Sequence, residues 1–201
     1  MSTPPSDSGP SPAAKPASDP EPEPAKLPPL TAEQFRVYNR LAVQMDYFHE
    51  HFRHIWKTLY SACESGRRPA GMTLKQFIDE GLNLVRYLEA HHRIEETHLF
   101  PILARKMPQF GTAIPSGKKK KKADCELLKQ HEKIHEGMDL LEDYLRACKN
   151  KEVEFELGVL KEKMDSWGEV LMKHLDEEVE TLGAENMRKY YTLEEVRAIP
   201  I

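Results

Sequence analysis

Three separate segments of the chain set a histidine and a second metal-binding side chain four residues apart: His91 with Glu95, His131 with His135, and His174 with Glu178. On an α-helix that spacing stacks both side chains on one face, about one turn apart. Such faces can turn inward together only if several helices surround a common interior. The spacing therefore predicts an all-α chain whose helices pack around a polar centre. A further group, His49, His51 and His54, lies upstream, and all nine histidines fall between positions 49 and 174.

Apolar periodicity supplies the helices. Thr31 followed by Gln34 reads as a capping box. The stripe Leu41, Met45, Phe48, Phe52, Ile55, Leu59 and Ala62 continues from it and fades near Gly66. A second start, Thr73 with Gln76, leads into Phe77, Gly81, Leu84, Leu88, Leu99 and Ile102, with Pro101 expected to kink or end the helix. A third helix is expected over 123–149 and a fourth over 152–182, turning at Gly183. Thr192 with Glu195 caps a short final helix, and the end of the chain is expected to fold back on the bundle as a lid or brace. The segment 108–122, with five consecutive lysines from Lys118 to Lys122, reads as a loop. Residues 31–201 are thus expected to form an antiparallel up-down-up-down four-helix bundle with a short C-terminal helix. Residues 1–30 hold most of the fifteen prolines. They cannot bury enough apolar surface to offset ordering, so a disordered tail is expected there.

Composition narrows the functional classes. A net charge of −4 and a pI near 6.2 give no global reason to bind nucleic acid or an anionic membrane. No apolar run approaches the roughly 20 residues a membrane-spanning helix needs. Cys63, Cys125 and Cys148 form no evenly spaced framework and read as reduced thiols. A cytoplasmic setting is expected. The lysine run reads as a solvated loop, with nuclear localisation as the sharper alternative.

The donor set indicates the metal. Potentially five histidines and two carboxylates are too many for one tetrahedral ion but suit two neighbouring ions. Imidazole with carboxylate, and no grouped thiolate, suits iron rather than structural zinc. Helix two offers a doubled motif, HHRIEE, in which His91/Glu95 and His92/Glu96 are both available, and spacing alone does not choose between them.

HHRIEETHLFP, HEKIH and HLDEE together resemble the hemerythrin-like family of His-His-Glu cation-binding bundles, over about 45–182. The resemblance selects His91 and Glu95 by counting back from Pro101. It implies a centre of two Fe ions held by one helix-one histidine with His91, Glu95, His131, His135, His174 and Glu178. Glu95 and Glu178 would be the bridges. For helix one it favours His49, which Phe52, Ile55 and Trp56 follow, over His51, which follows an acidic residue. His92 and Glu96 read either as partners that hold the ligands' tautomers or as solvent-facing neighbours, and His54 and His98 are assigned to the surface. The family's oxygen carriers place the last carboxylate five residues after its histidine. Here that position is Val179, a departure that bears on reversible oxygen carriage more than on metal binding.

The resemblance implies a non-haem di-iron protein that binds or senses O2 or NO, or handles iron. The same centre would also serve a di-iron oxidase or peroxidase-like enzyme, although no acid/base pair beyond the ligands demands one. A metal-free helical interaction module is the third reading.

Overall fold

A computed structural model describes residues 27–111 and 125–200. Positions 1–26 of the expected tail and the Lys118–Lys122 run lie outside the described residues.

Every regular element among the described residues is helical. Helix α1 (Ala32–Tyr38) opens on the Thr31–Gln34 capping box, each residue's side chain bonding the other's backbone N–H. Helix α2 spans Arg40–Ser65 and ends at Gly66, whose φ of 66° is the left-handed conformation that glycine adopts without a Cβ penalty. Helix α3 (Leu74–Ile94) opens on a second capping box, Thr73 with Gln76. It runs directly into a π-helical turn, Glu95–Leu99, and then α4, Phe100–Leu103. After a 3-10 turn at Pro108–Phe110 come α5 (Glu126–Lys149), α6 (Leu157–Asp165), α7 (Gly168–Thr181), α8 (Ala184–Met187) and α9 (Leu193–Ala198), the last capped by Thr192 and Glu195.

Three details depart from expectation. The first expected helix breaks at Asn39, whose side-chain oxygen accepts a bond from the Ala184 N–H and so ties the start of α2 to α8. The fourth breaks at Ser166–Trp167, where Trp167 leaves helical geometry at φ −139° and turns its indole into the core. Pro101 does not end its helix. The turn before it widens instead, with Phe100 N–H bonding Glu95 O, five residues back.

Helix α3 packs on α5, α2 on α3 and α7, and α5 on α7, with α6 against α2 and α5. Across α2, Arg53 reaches Asp176 at 2.5 Å and Tyr60 donates to Asp165 at 2.7 Å. The apolar interior forms two clusters. One contains Phe52, Ile55, Leu84, Leu88, Ile134, Met138, Leu171 and Leu175. The other contains Leu41, Met45, Leu99, Phe100, Leu127, Leu182, Val196 and Ile199. Each of α2, α3 with its π turn, and α5 thus passes from one cluster to the other, as does α7 where Leu182 caps it, and each carries histidine at the crossing.

The C-terminal segment is a brace. Arg40 donates to the carbonyls of Arg197 and Ile199, and Tyr191 OH donates to Leu103 O at 3.1 Å. Among the described residues, no helix is long and apolar enough to cross a membrane.

Candidate metal centre

Four helices deliver polar side chains to the boundary between the apolar clusters: His49 from α2, His92 from α3, His131 from α5, and His174 with Glu178 from α7. Glu95 joins them from the first position of the π turn. All six are at most 2 % exposed. His91, one residue before His92, reaches the same interior from a half-buried position.

These side chains form two groups. In the first, one donor atom from each of His49, His91, Glu95 and Glu178 lies within 4.8 Å of the others. In the second, the same holds for His92, Glu95, His131 and His174. Glu95 belongs to both. Its Oε1 lies 2.8 Å from His91 Nε2 and its Oε2 lies 3.6 Å from His131 Nε2. Glu178 Oε2 stands 3.4 Å from His49 Nε2 and 3.7 Å from His174 Nε2.

The outward nitrogens explain how the rings are aimed. His49 Nδ1 donates to Leu175 O at 2.9 Å. His131 Nδ1 donates to Glu96 Oε1 at 2.7 Å. His174 Nδ1 donates to Gln130 Oε1 at 3.1 Å, and the Gln130 amide is oriented by its own donation to Glu177 at 2.6 Å. In a neutral imidazole, donation from Nδ1 leaves the lone pair on Nε2. All three Nε2 atoms face the shared interior, the pattern by which outer hydrogen bonds orient metal-binding histidines.

Inside, several polar atoms lack hydrogen-bonding partners. Both ring nitrogens of His92 and all four carboxylate oxygens of Glu95 and Glu178 are buried without a hydrogen bond. Nitrogens meet nitrogens: His49 Nε2 and His91 Nε2 are 3.2 Å apart, as are His131 Nε2 and His174 Nε2. Leaving such groups buried and unpaired costs about 1–3 kcal/mol each, more for charged ones. A cation receiving these lone pairs removes that cost, so the residues fit a metal.

Burial sets the protonation states of the metal-free chain. It pushes the His91 imidazole down to about 3, with the neighbouring His49 and His131 adding to the shift. His92 and His174 are held well below the ordinary histidine value, first by burial and then by surrounding imidazoles. Glu95 is raised well above the ordinary carboxylate value by burial and by the Glu178 charge. Glu96 is lowered, chiefly by its bond to His131.

Several sequence expectations change here. His51 is exposed, because it lies two residues from His49 and so points away from the interior face; its ring sits 5.3 Å from Tyr87. His135 is half-buried and belongs to neither group. Its place beside His131 is taken by His92, whose ring stacks on His131 with centroids 3.9 Å apart and 14° between planes. His92 is fully buried in the second group, while Glu96, itself exposed, holds the His131 ring, as the tautomer-holding alternative expects of it. The stripe alone did not single out His92, since Leu84, Leu88 and Leu99 run between the directions of His91 and His92. His54 and His98 are exposed.

No curated protein and no solved structure matches the chain. A family model described as Hemerythrin HHE cation binding domain matches residues 41–185, a span that holds every side chain of both groups. With buried imidazole and carboxylate donors converging inside a helical fold, the chain belongs to the hemerythrin HHE cation-binding domain family.

Proposed function

We propose that the chain holds two iron ions inside an antiparallel up-down-up-down four-helix bundle, and uses them to bind or sense O2 or NO or to handle iron itself. One ion would be held by His49, His91 and Glu178, the other by His92, His131 and His174, with Glu95 between them. The observation that carries this reading is the membership of Glu95 in both groups, since a carboxylate joining two donor sets is suited to bridge two cations. The pairings of α2 with α3 and α7 support the bundle topology. Imidazole and carboxylate donors, with no cysteine in either group, suit iron.

When bound, ferrous iron would supply electrons and an exchangeable position for a small diatomic molecule. The chain's own part is to orient the rings through Leu175 O, Glu96 and Gln130, and to keep the imidazoles neutral and ready to ligate. The apolar clusters cover the centre on two sides, above and below the histidine layer. The unpaired cysteines fit a reducing, cytoplasmic setting.

Anaerobic loading with ferrous iron tests the proposal. About two irons per chain and a near-ultraviolet band of a bridged ferric pair after air exposure are expected. A ratio of one or below, or tighter retention of zinc, overturns it. An oxidase or peroxidase-like reading is favoured by one separate observation, an apolar cavity reaching His91 and Glu95. Repeated consumption of O2 or peroxide with an organic reductant would decide for it.

A further inference from the structure

A cavity of about 500 Å³ lies between α2, α3 and the π turn, with Pro200 at its edge. It touches the candidate centre on one side only. His91 and Glu95 line it, whereas His92, His131, His174, His49 and Glu178 do not. The volume is many times the roughly 30 Å³ that one water occupies in the liquid, and falls within the 300–1,000 Å³ of organic-ligand pockets. A passage for a diatomic gas needs nothing so large.

We infer that this cavity binds a neutral, ring-bearing organic molecule with its inner end against His91 and Glu95. The inference rests on the metal-binding reading for what occupies that inner end. The walls are apolar and aromatic: Phe52 is buried at the back, while Phe48, Tyr87 and Ile94 stand partly exposed at the mouth. Aromatic side chains in this arrangement favour offset or edge-on contact with another ring. Among the described residues no lysine or arginine lines the cavity, so none of them offers an anion a counter-charge there. Among the described lining residues the one carboxylate is Glu95, which is already engaged with the two histidine groups and so is not free to pair with an organic cation. Gln44, His51 and His98 add hydrogen-bonding groups. A folded partner is a poorer fit than a small molecule, because the space runs inward to a buried carboxylate rather than spreading as a flat face.

The test uses full-length protein, metal-free and iron-loaded, titrated with 2-naphthol and, for comparison, with 2-naphthoate. Saturable 1:1 binding of 2-naphthol is expected, with 2-naphthoate weaker by at least about tenfold. Ala90→Phe, which fills the cavity from α3, should weaken 2-naphthol by at least about tenfold while metal content stays unchanged. Ala90→Leu should give a smaller loss in the same direction and covers the case in which the larger side chain impairs folding. Absence of saturable binding, indifference to both substitutions, or preference for the anion overturns the inference. So does a self-associated chain that binds 2-naphthol only on dilution, since a second copy would then cover the mouth. Metal content is measured separately, so iron without 2-naphthol refutes the cavity alone, and 2-naphthol without iron refutes the metal reading alone.

Discussion

The Nε2 atoms of His131 and His174 face each other at 3.2 Å while both Nδ1 atoms are already committed as donors, to Glu96 and to Gln130. Two lone pairs directed at one point repel unless a cation lies between or beside them. Metal should therefore stabilise the fold. Ferrous iron at about a hundredfold excess over its dissociation constant adds roughly 2.7 kcal/mol per site, worth at least about 5 °C in a chain of this size. Thermal melts before and after chelation check this, and an unchanged midpoint contradicts it.

His92 and His135 should separate on mutation. His92→Ala removes a donor from the second group and should lower metal content toward about half. His135→Ala leaves both groups intact and should leave the stoichiometry unchanged. Metal analysis of the two purified variants decides, and the reverse ranking would return the role to His135.

Glu96 touches no other group member, yet it holds His131. Glu96→Ala should weaken metal binding by about 10–100-fold and also cost the metal-free chain about 1–3 kcal/mol, because His131 Nδ1 loses its partner. Glu96→Gln, which still accepts a hydrogen bond, should recover part of the loss. Competition with a chelator of known affinity gives both numbers.

Acid should unfold the metal-free protein through its buried imidazoles. His91, His92 and His174 have folded values below 6.5, so the unfolded chain binds more protons as pH falls below that point, and stability is lost downward. Glu95 acts in the opposite sense: its raised value contributes stability at low pH that is lost as pH climbs above 4.5. Below 4.5 the histidines act unopposed by Glu95. Each contributes a slope of up to about 1.4 kcal/mol per pH unit. For His91 this continues to about pH 3. Denaturant titrations of wild type and His91→Gln should show a shallower acid loss in the variant, and equal slopes would refute the assignment.

Gly137 lies against Trp167 so closely that an added Cβ would stand 2.5 Å from the Trp167 Cβ and closer still to its ring. The Cβ side of Trp167 cannot swing aside as a side-chain tip could. Gly137→Ala gains about 1 kcal/mol in helix propensity but overpacks the core, at about 1–3 kcal/mol or more. A net fall in melting temperature is expected, and a rise would show that α5 and the Trp167 break can part cheaply.

Much of this was legible in the chain. Capping boxes at Thr31, Thr73 and Thr192 open α1, α3 and α9, because that motif is local and its chemistry is complete within four residues. Spacing placed His91 and Glu95 on one face, and it was the family resemblance that put His49 ahead of His51. Other features depend on distant partners. Nothing near Asn39 announces the break that its bond to Ala184 explains. The irregular backbone at Trp167 reflects burial against Gly137 and Trp56, which only packing reveals. His92 was obscured by its neighbour: a doubled histidine offers two registers, and four-residue spacing cannot rank them when the helix changes pitch immediately afterwards.

That change of pitch has a consequence for the length of the chain itself. A π-helical turn accommodates one residue more than an α-helical path between the same two points. Shortening Glu95–Leu99 by a single position would return the rod to α-helical pitch with Phe100 and Leu103 still in the apolar layer beside α8 and α9, whereas losing one residue from α3 itself would rotate them by about 100°. The acid shared by both donor sets and the greasy layer beyond it stay in phase because the turn swallows its surplus residue where it stands.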